Sequence, residues 1–166
     1  TLHVQGDARH IPFPDGHFDL VISSDMLEHL VPSDRPLVMR EMLRVSKRHV
    51  ILGGPFQSIY TETAEELVNR QFLENTGQPH PFLSEHLEYG LPDLESVEQV
   101  LTEQAVSYLK LGEGNIYNWF LQQLSIGGRL LVPPSAAHAA AQNGTAFNQF
   151  FNEHLYELGN FRAPTY

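Results

Sequence analysis

The sequence predicts an α/β fold with a helical second half, and three observations carry that reading. Phe18–Ser23 and His49–Leu52 are apolar runs with almost no polar alternation, as expected of parallel strands buried on both faces. Between them, Val38, Met42 and Val45 recur at helical spacing. After Pro55, polar stretches with helical periodicity take over. With a further strand at the start, the order is strand, strand, helix, strand, which points to an α/β layer arrangement.

Leu2-His3-Val4-Gln5 alternates apolar and polar residues and stops at Gly6-Asp7, so it reads as the short first strand. His10 to His17 carries Pro12, Pro14 and the Asp15-Gly16 pair, which no regular element tolerates together. Ser33 is placed to cap the first helix, with Pro36 in its first turn and Arg44, Lys47 and Arg48 where the helix dipole favours cations. Gly53-Gly54-Pro55 breaks the strand that follows. Thr63 to Asn75 places Ala64, Leu67, Val68 and Phe72 on one helical face, and Gly77 is suited to end it. Asp93 caps a helix carrying Leu94, Val97 and Leu101. Ala105–Leu111 reads as a strand closed by Gly112-Glu113-Gly114, and Asn115 caps a helix with Ile116, Trp119, Phe120, Gln123 and Leu124. The tail from Ser135 holds an Ala-rich helix and an aromatic one, Phe147–Leu158, with Pro133-Pro134 as the one candidate linker.

A chain of 166 residues fits one domain and buries a core without covalent staples. The absence of Cys excludes disulfides and thiolate metal sites. With 42% hydrophobic and 18% charged residues the composition is that of a globular protein, not a disordered one. The net charge of −10, with Arg44, Lys47 and Arg48 as the one basic cluster, argues against nucleic acid as a partner and for a small or neutral substrate. No run approaches a membrane span and Thr1–His10 lacks a basic start, so the default compartment is cytoplasmic. The start at Thr1, without Met and directly in a strand-like stretch, suggests a piece of a longer protein.

In open α/β sheets ligands bind beyond the carboxyl ends of the strands, here Asp7-Ala8, Ser23-Ser24-Asp25 and Gly53-Gly54-Pro55. An Asp after a strand and a Gly can accept from an exocyclic amine while the next N–H donates to a ring nitrogen, a pair that reads an adenine edge. Capping the turn begun at Gly6 is an equal use of Asp7, and spacing does not choose. The nine His are dispersed, with His80 and His86 interrupted by Pro81, so surface or capping roles are expected and no metal site. Ser23-Ser24 lacks a G-x-S-x-G elbow, which removes a hydrolase. Tyr117, Trp119, Phe120, Phe147, Phe150, Phe151 and Tyr156 fall at helical spacing and are expected in the core rather than in an acceptor pocket.

The stretch G-D-A-R-H-I-P-F-P-D-G-H-F-D-L-V-I-S-S-D-M-L-E-H-L, Gly6 to Leu30, resembles class I S-adenosylmethionine (SAM)-dependent methyltransferases, especially the type 11 group. The resemblance covers residues 1 to about 55, and His80–Pro92 and Gly112–Asn115 are more loosely similar to the helical insert of a subgroup found near sugar-modifying enzymes. It implies a Rossmann-like methyltransferase fold that is partial here, without the first two strands and their glycine-rich loop and without the last strand. No G-x-G-x-G follows any strand, and both ends look cut. Position by position, the resemblance makes Asp7 the acceptor of the adenine amine and Ala8 the residue whose N–H meets the ring. Ser23, Ser24 and Asp25 flank the methionine moiety and the methyl, Asp19 is structural, and Glu28-His29 is the family's E-H pair. His29 and Asp25 are the candidate catalytic bases.

The expected layout is one partial domain, with core strands of the cofactor half in 1–55, a helical insert in 56–104 and a strand and helices in 105–166. The implied activity is methyl transfer from SAM to a small-molecule, sugar or lipid-linked acceptor. The alternative is a non-catalytic remnant acting as an interaction or dimerisation module, with the open apolar edge of Phe18–Ser23 pairing across a homodimer. A nucleotide-binding protein without methyl transfer is a third reading, since an adenine acceptor does not demand a sulfonium.

Overall fold

A computed structural model describes residues 3–112, 115–117, 119, 120 and 123. Its elements run β1 (Phe18–Ser24), a short 3-10 turn (Leu27–His29), α1 (Arg35–Val45), β2 (Ser46–Gly53), α2 (Ile59–Thr76), α3 (Leu83–Tyr89) and α4 (Leu94–Glu103). The chain divides into two compact units, Thr1–Gln57 with Tyr89–Leu109, and Ser58–Glu88 with Lys110–Tyr166.

In the first unit β1 and β2 pair in parallel, joined by α1, with Val21 opposite Val50, Ile22 opposite Ile51 and Ser24 opposite Gly53. This βαβ core is compatible with the α/β expectation. Buried Val38, Met39 and Met42 on α1 meet Leu27 and, from α4, Val97 and Val100, while Val21, Val50 and Leu52 close the cluster from the sheet. The opposite face of the sheet presents Leu20, Ile22 and Ile51, which are 45%, 63% and 53% exposed. Burial on both faces is therefore corrected to burial on one: the described residues supply a helical layer to one side of the pleat only.

Five element assignments also change. Residues 3–6 form no strand, and Asp7 makes only an isolated antiparallel bridge to His10. Alternation is not sufficient where, among the described residues, no second backbone lies alongside to complete a ladder. For the same reason Ala105–Leu111 is irregular, beginning with Ala105 at a φ of 53° directly after α4. The cap position of α1 is Asp34 rather than Ser33, and Asp34 makes no side-chain cap. Lys47 and Arg48 lie in β2, because the chain turns extended at Ser46. Helix α2 starts earlier than expected, at Ile59, since Ser58 accepts the Thr61 N–H at 3.1 Å. Gly77 ends it in the left-handed region, as the sequence suggested (φ 71°). Asp93 caps α4 through the N–H groups of Glu95 and Ser96.

In the second unit Asn115 accepts the Tyr117 N–H at 2.9 Å, and residues 116, 117, 119, 120 and 123 are helical. Tyr117 is exposed, not core as expected, while Trp119 and Phe120 are half-buried. Leu124, Pro133-Pro134, the Ala-rich helix from Ser135 and the aromatic helix with Phe147, Phe150, Phe151 and Tyr156 lie outside the described residues. His86 is buried with its Nδ1 3.0 Å from Glu65, correcting the surface assignment. His80 does cap: its Nδ1 accepts the Phe82 and Leu83 N–H groups at 3.3 and 3.2 Å, so its imidazole is neutral there.

Met42→Ala should destabilise the chain by about 2–5 kcal/mol in urea unfolding, since it empties the centre of the first core, whereas exposed Leu37→Ala should change stability by less than about 0.5 kcal/mol. Burial, followed by the nearby His86, holds the His80 imidazole below its ordinary 6.5. The folded state then binds fewer protons than the unfolded one, so this contribution is complete above about pH 6.5 and is lost as pH falls through the lower folded value. Protection factors of the Phe82 and Leu83 amides, corrected for the intrinsic pH dependence of exchange, should fall on acidification in that window, and His80→Asn should flatten the response.

Candidate functional site

Asp7 and Ala8 open a turn closed by the His10 N–H bonding the Asp7 carbonyl at 2.9 Å. Gly6 precedes it because a Cβ there would stand 3.0 Å from the Pro12 ring. Within the turn Asp7 Oδ1 accepts the Arg9 backbone N–H at 2.9 Å and Nε at 3.0 Å, while Oδ2 accepts Nη2 at 2.7 Å. The Arg9 guanidinium lowers the Asp7 carboxyl to about 2. Arg9 also reaches α1, donating from Nη1 to Asp34 Oδ2 at 3.0 Å. The Asp7 carboxylate thus caps the turn that it opens.

Beside this turn lies a cavity of about 440 Å³ lined by Gly6, Asp7, Ala8, Arg9, His29, Leu30, Val31, Asp34, Val38 and Tyr89. Its volume falls within the range of small-molecule sites, and its walls mix aliphatic side chains with a few polar ones in the usual way. Three of the residues singled out from the sequence, Asp7, Ala8 and His29, come together here. Ser23, Ser24 and Asp25 are not among its lining residues; they end β1, at the carboxyl edge of the sheet. The pleat also separates the two serines. Ser23 stands opposite Leu52 on the core side, its hydroxyl buried without a hydrogen-bond partner, whereas Ser24 is exposed and donates to Asp25 Oδ2 at 2.8 Å. Asp25 turns the chain with a φ of 49°, its N–H bonded to the Gly53 carbonyl at 2.9 Å.

Two arginines of α1 hold the cavity's loops. Arg44 donates to the carbonyls of Ile11 (2.9 Å) and Phe13 (2.8 Å) and to Glu41, which in turn accepts the Ile11 N–H at 2.8 Å. The Arg44 guanidinium lowers the Glu41 carboxyl to about 2. Arg35 donates from Nε to the carbonyls of Leu27 (3.0 Å) and Leu30 (3.1 Å), and from Nη2 to those of Tyr89 (3.3 Å) and Gly90. Burial lowers the Arg35 pKa, opposed by the charge of Glu28. Glu28 itself is 1% exposed and faces Gly54, where an added Cβ would come within 3.1 Å of its Oε2. Sequence reasoning did not single out Arg9, Asp34, Arg35, Glu41 or Tyr89. The Glu41/Arg44 spacing of one helical turn was a readable signal, but the loop atoms it serves were not.

Residues 2–52, which span β1, α1 and nearly all of β2, match a family model described as a methyltransferase domain. This segment is thus similar to methyltransferase domains, and the match covers less than a third of the chain. Within the chain, 41 residues are 51% identical to ajmaline N-methyltransferase of Rauvolfia serpentina. That alignment takes in 25% of this chain and only 13% of that enzyme. The matched segment contains Asp7, Ala8, Ser23, Ser24, Asp25 and His29. Among the described residues, no helix is long and apolar enough to cross a membrane.

If Arg35 holds the turn bearing His29 against the Tyr89–Gly90 segment, Arg35→Met should cost about 1.5–3 kcal/mol, the scale of a hydrogen bond to a charged group. Hydrogen exchange should localise the loss to residues 27–30 and 89–90, with α2 unaffected.

Proposed function

We propose that the first unit carries the adenosyl side of a SAM site and that the protein transfers the methyl group of SAM to a small-molecule, sugar or lipid-linked acceptor. The observation that carries this reading is the cavity that brings Asp7, Ala8 and His29 together beside α1. The donor set suits an adenosyl group. Asp7 is an ionised acceptor for the adenine amine, and Ala8 offers its N–H to the ring. Leu30, Val31 and Val38 give an apolar wall against which a purine can pack.

SAM supplies a methyl on a positively charged sulfur, so the chain's own residues contribute mainly alignment. His29, on the cavity wall, is the better placed of the two candidate bases to take a proton from the acceptor's nucleophilic atom. Asp25, bonded to Ser24 at the sheet edge, belongs to the methionine side together with Ser23 and Ser24. The acidic chain and the apolar cavity wall favour a small acceptor over a nucleic acid, and the N-methyltransferase relative extends the acceptor atoms to nitrogen.

The exposed apolar sheet face of Leu20, Ile22 and Ile51 favours a second reading, a methyltransferase-like module that docks or dimerises without catalysis. The cavity beside Asp7 supports the first. Calorimetric titration with S-adenosylhomocysteine separates them. Saturable binding is expected, weakened by about tenfold or more in Asp7→Ala, the worth of a hydrogen bond to a charged group. Absence of binding, with the chain folded, would leave the docking module as the better account.

A further inference from the structure

The Asp7 carboxylate is already largely committed. A carboxylate offers about four lone-pair sites. Here three N–H donors occupy it: Oδ1 takes the Arg9 backbone N–H, Oδ2 takes Nη2 at 2.7 Å, and Nε is shared between Oδ1 at 3.0 Å and Oδ2 at 3.2 Å. All three come from one residue, two of them from its side chain, which holds both oxygens. An exocyclic amine approaching Asp7 from the side held by the guanidinium competes with it for the same oxygens.

The structure also supplies what a displaced guanidinium needs. Its Nη1 already bonds Asp34 Oδ2 at 3.0 Å, so the charge has a second carboxylate on α1 without crossing to solvent. The Arg9 backbone N–H keeps its bond to Asp7 Oδ1 whatever the side chain does, so Asp7 stays aimed after the exchange. Both Arg9 and Asp7 are half exposed at the side chain, and exposed ion pairs are weak enough for a ligand to break.

We propose that Arg9 sets the affinity and donor selectivity of this site: its guanidinium occupies Asp7 as an internal competitor and passes to Asp34 when a ligand amine takes its place. The inference rests on the reading of Asp7 as the adenine acceptor. It makes Arg9 a specificity-determining residue that acts against binding, the reverse of what a cationic side chain on a cavity wall ordinarily suggests. A ligand without an amine to offer Asp7 gains nothing from the exchange, because it breaks an ion pair and replaces no hydrogen bond.

The test is titration of the 166-residue chain with S-adenosylhomocysteine, a zwitterion whose own salt response is common to the unaltered chain and Arg9→Met, so the difference between the two reports the Arg9–Asp7 pair. Raising ionic strength from about 0.05 M to about 0.5 M should tighten binding to the unaltered chain, because screening weakens the Arg9–Asp7 pair. Arg9→Met should bind about fivefold more tightly than the unaltered chain at low salt, the worth of one exposed ion pair, and should lose that tightening by salt. A merely structural role for Arg9 would not produce salt-enhanced binding, and that measurement needs no variant to fold. Binding that is lost in Asp7→Ala but weakened in Arg9→Met, or weakened by salt, would overturn this inference and make Arg9 a direct ligand contact while leaving the site reading intact. No binding to either the unaltered chain or Arg9→Met would overturn both.

Discussion

Arg35 and Arg44 stand at opposite ends of α1 and together bond six backbone carbonyls in the turns and helix ends around it. A loop packed on a core carries polar groups that must find partners, and the forked guanidinium supplies several donors from one side chain. The helix therefore acts in two directions. Its apolar face, through Val38, Met39 and Met42, builds the core with the sheet and α4, and its charged ends pin the turns at residues 11–13, 27–30 and 89–90. The cavity exists because these turns are fixed relative to the same rigid element.

The charge of the chain takes on a specific meaning in this setting. Although acidic residues outnumber basic ones two to one, Arg9, Arg35 and Arg44 are all committed to internal contacts around the cavity. Asp7 and Glu41, each held to about 2 by an arginine, remain ionised throughout the range in which the protein works. The cavity wall thus keeps a constant electrostatic character near its turn.

What could be read from the sequence was local. The end of α2 at Gly77, the cap of α4 at Asp93 and the two paired strands are written in single residues or short patterns, because caps and turns are decided within a few positions. Asp7, Ala8 and His29 stood out through a family resemblance rather than through periodicity, and their meeting beside α1, apart from Ser23 and Ser24, was not foreseen. What stayed hidden depends on neighbours. Residues 3–6 have the alternation of a strand but no strand beside them, and Leu20, Ile22 and Ile51 have the composition of buried residues but no layer above them in the described structure. The ties from Arg9 to Asp34, from Ile11 to Glu41 and from Arg35 to Tyr89 join positions far apart in the chain, and no spacing rule announces them.

The meeting of Gly54 with Glu28 makes these two positions one inherited trait. The buried carboxylate fills the volume that a side chain at 54 would need, with 3.1 Å between its oxygen and the missing Cβ. A descendant of this sequence that gains a methyl at 54 must draw the acid back, most simply by shortening Glu28 to Asp. One that keeps the glutamate must shift its carboxylate by a few tenths of an ångström within its buried site. Substitutions just after β2 and in the 3-10 turn are therefore coupled, although the two residues are separated by the whole of α1.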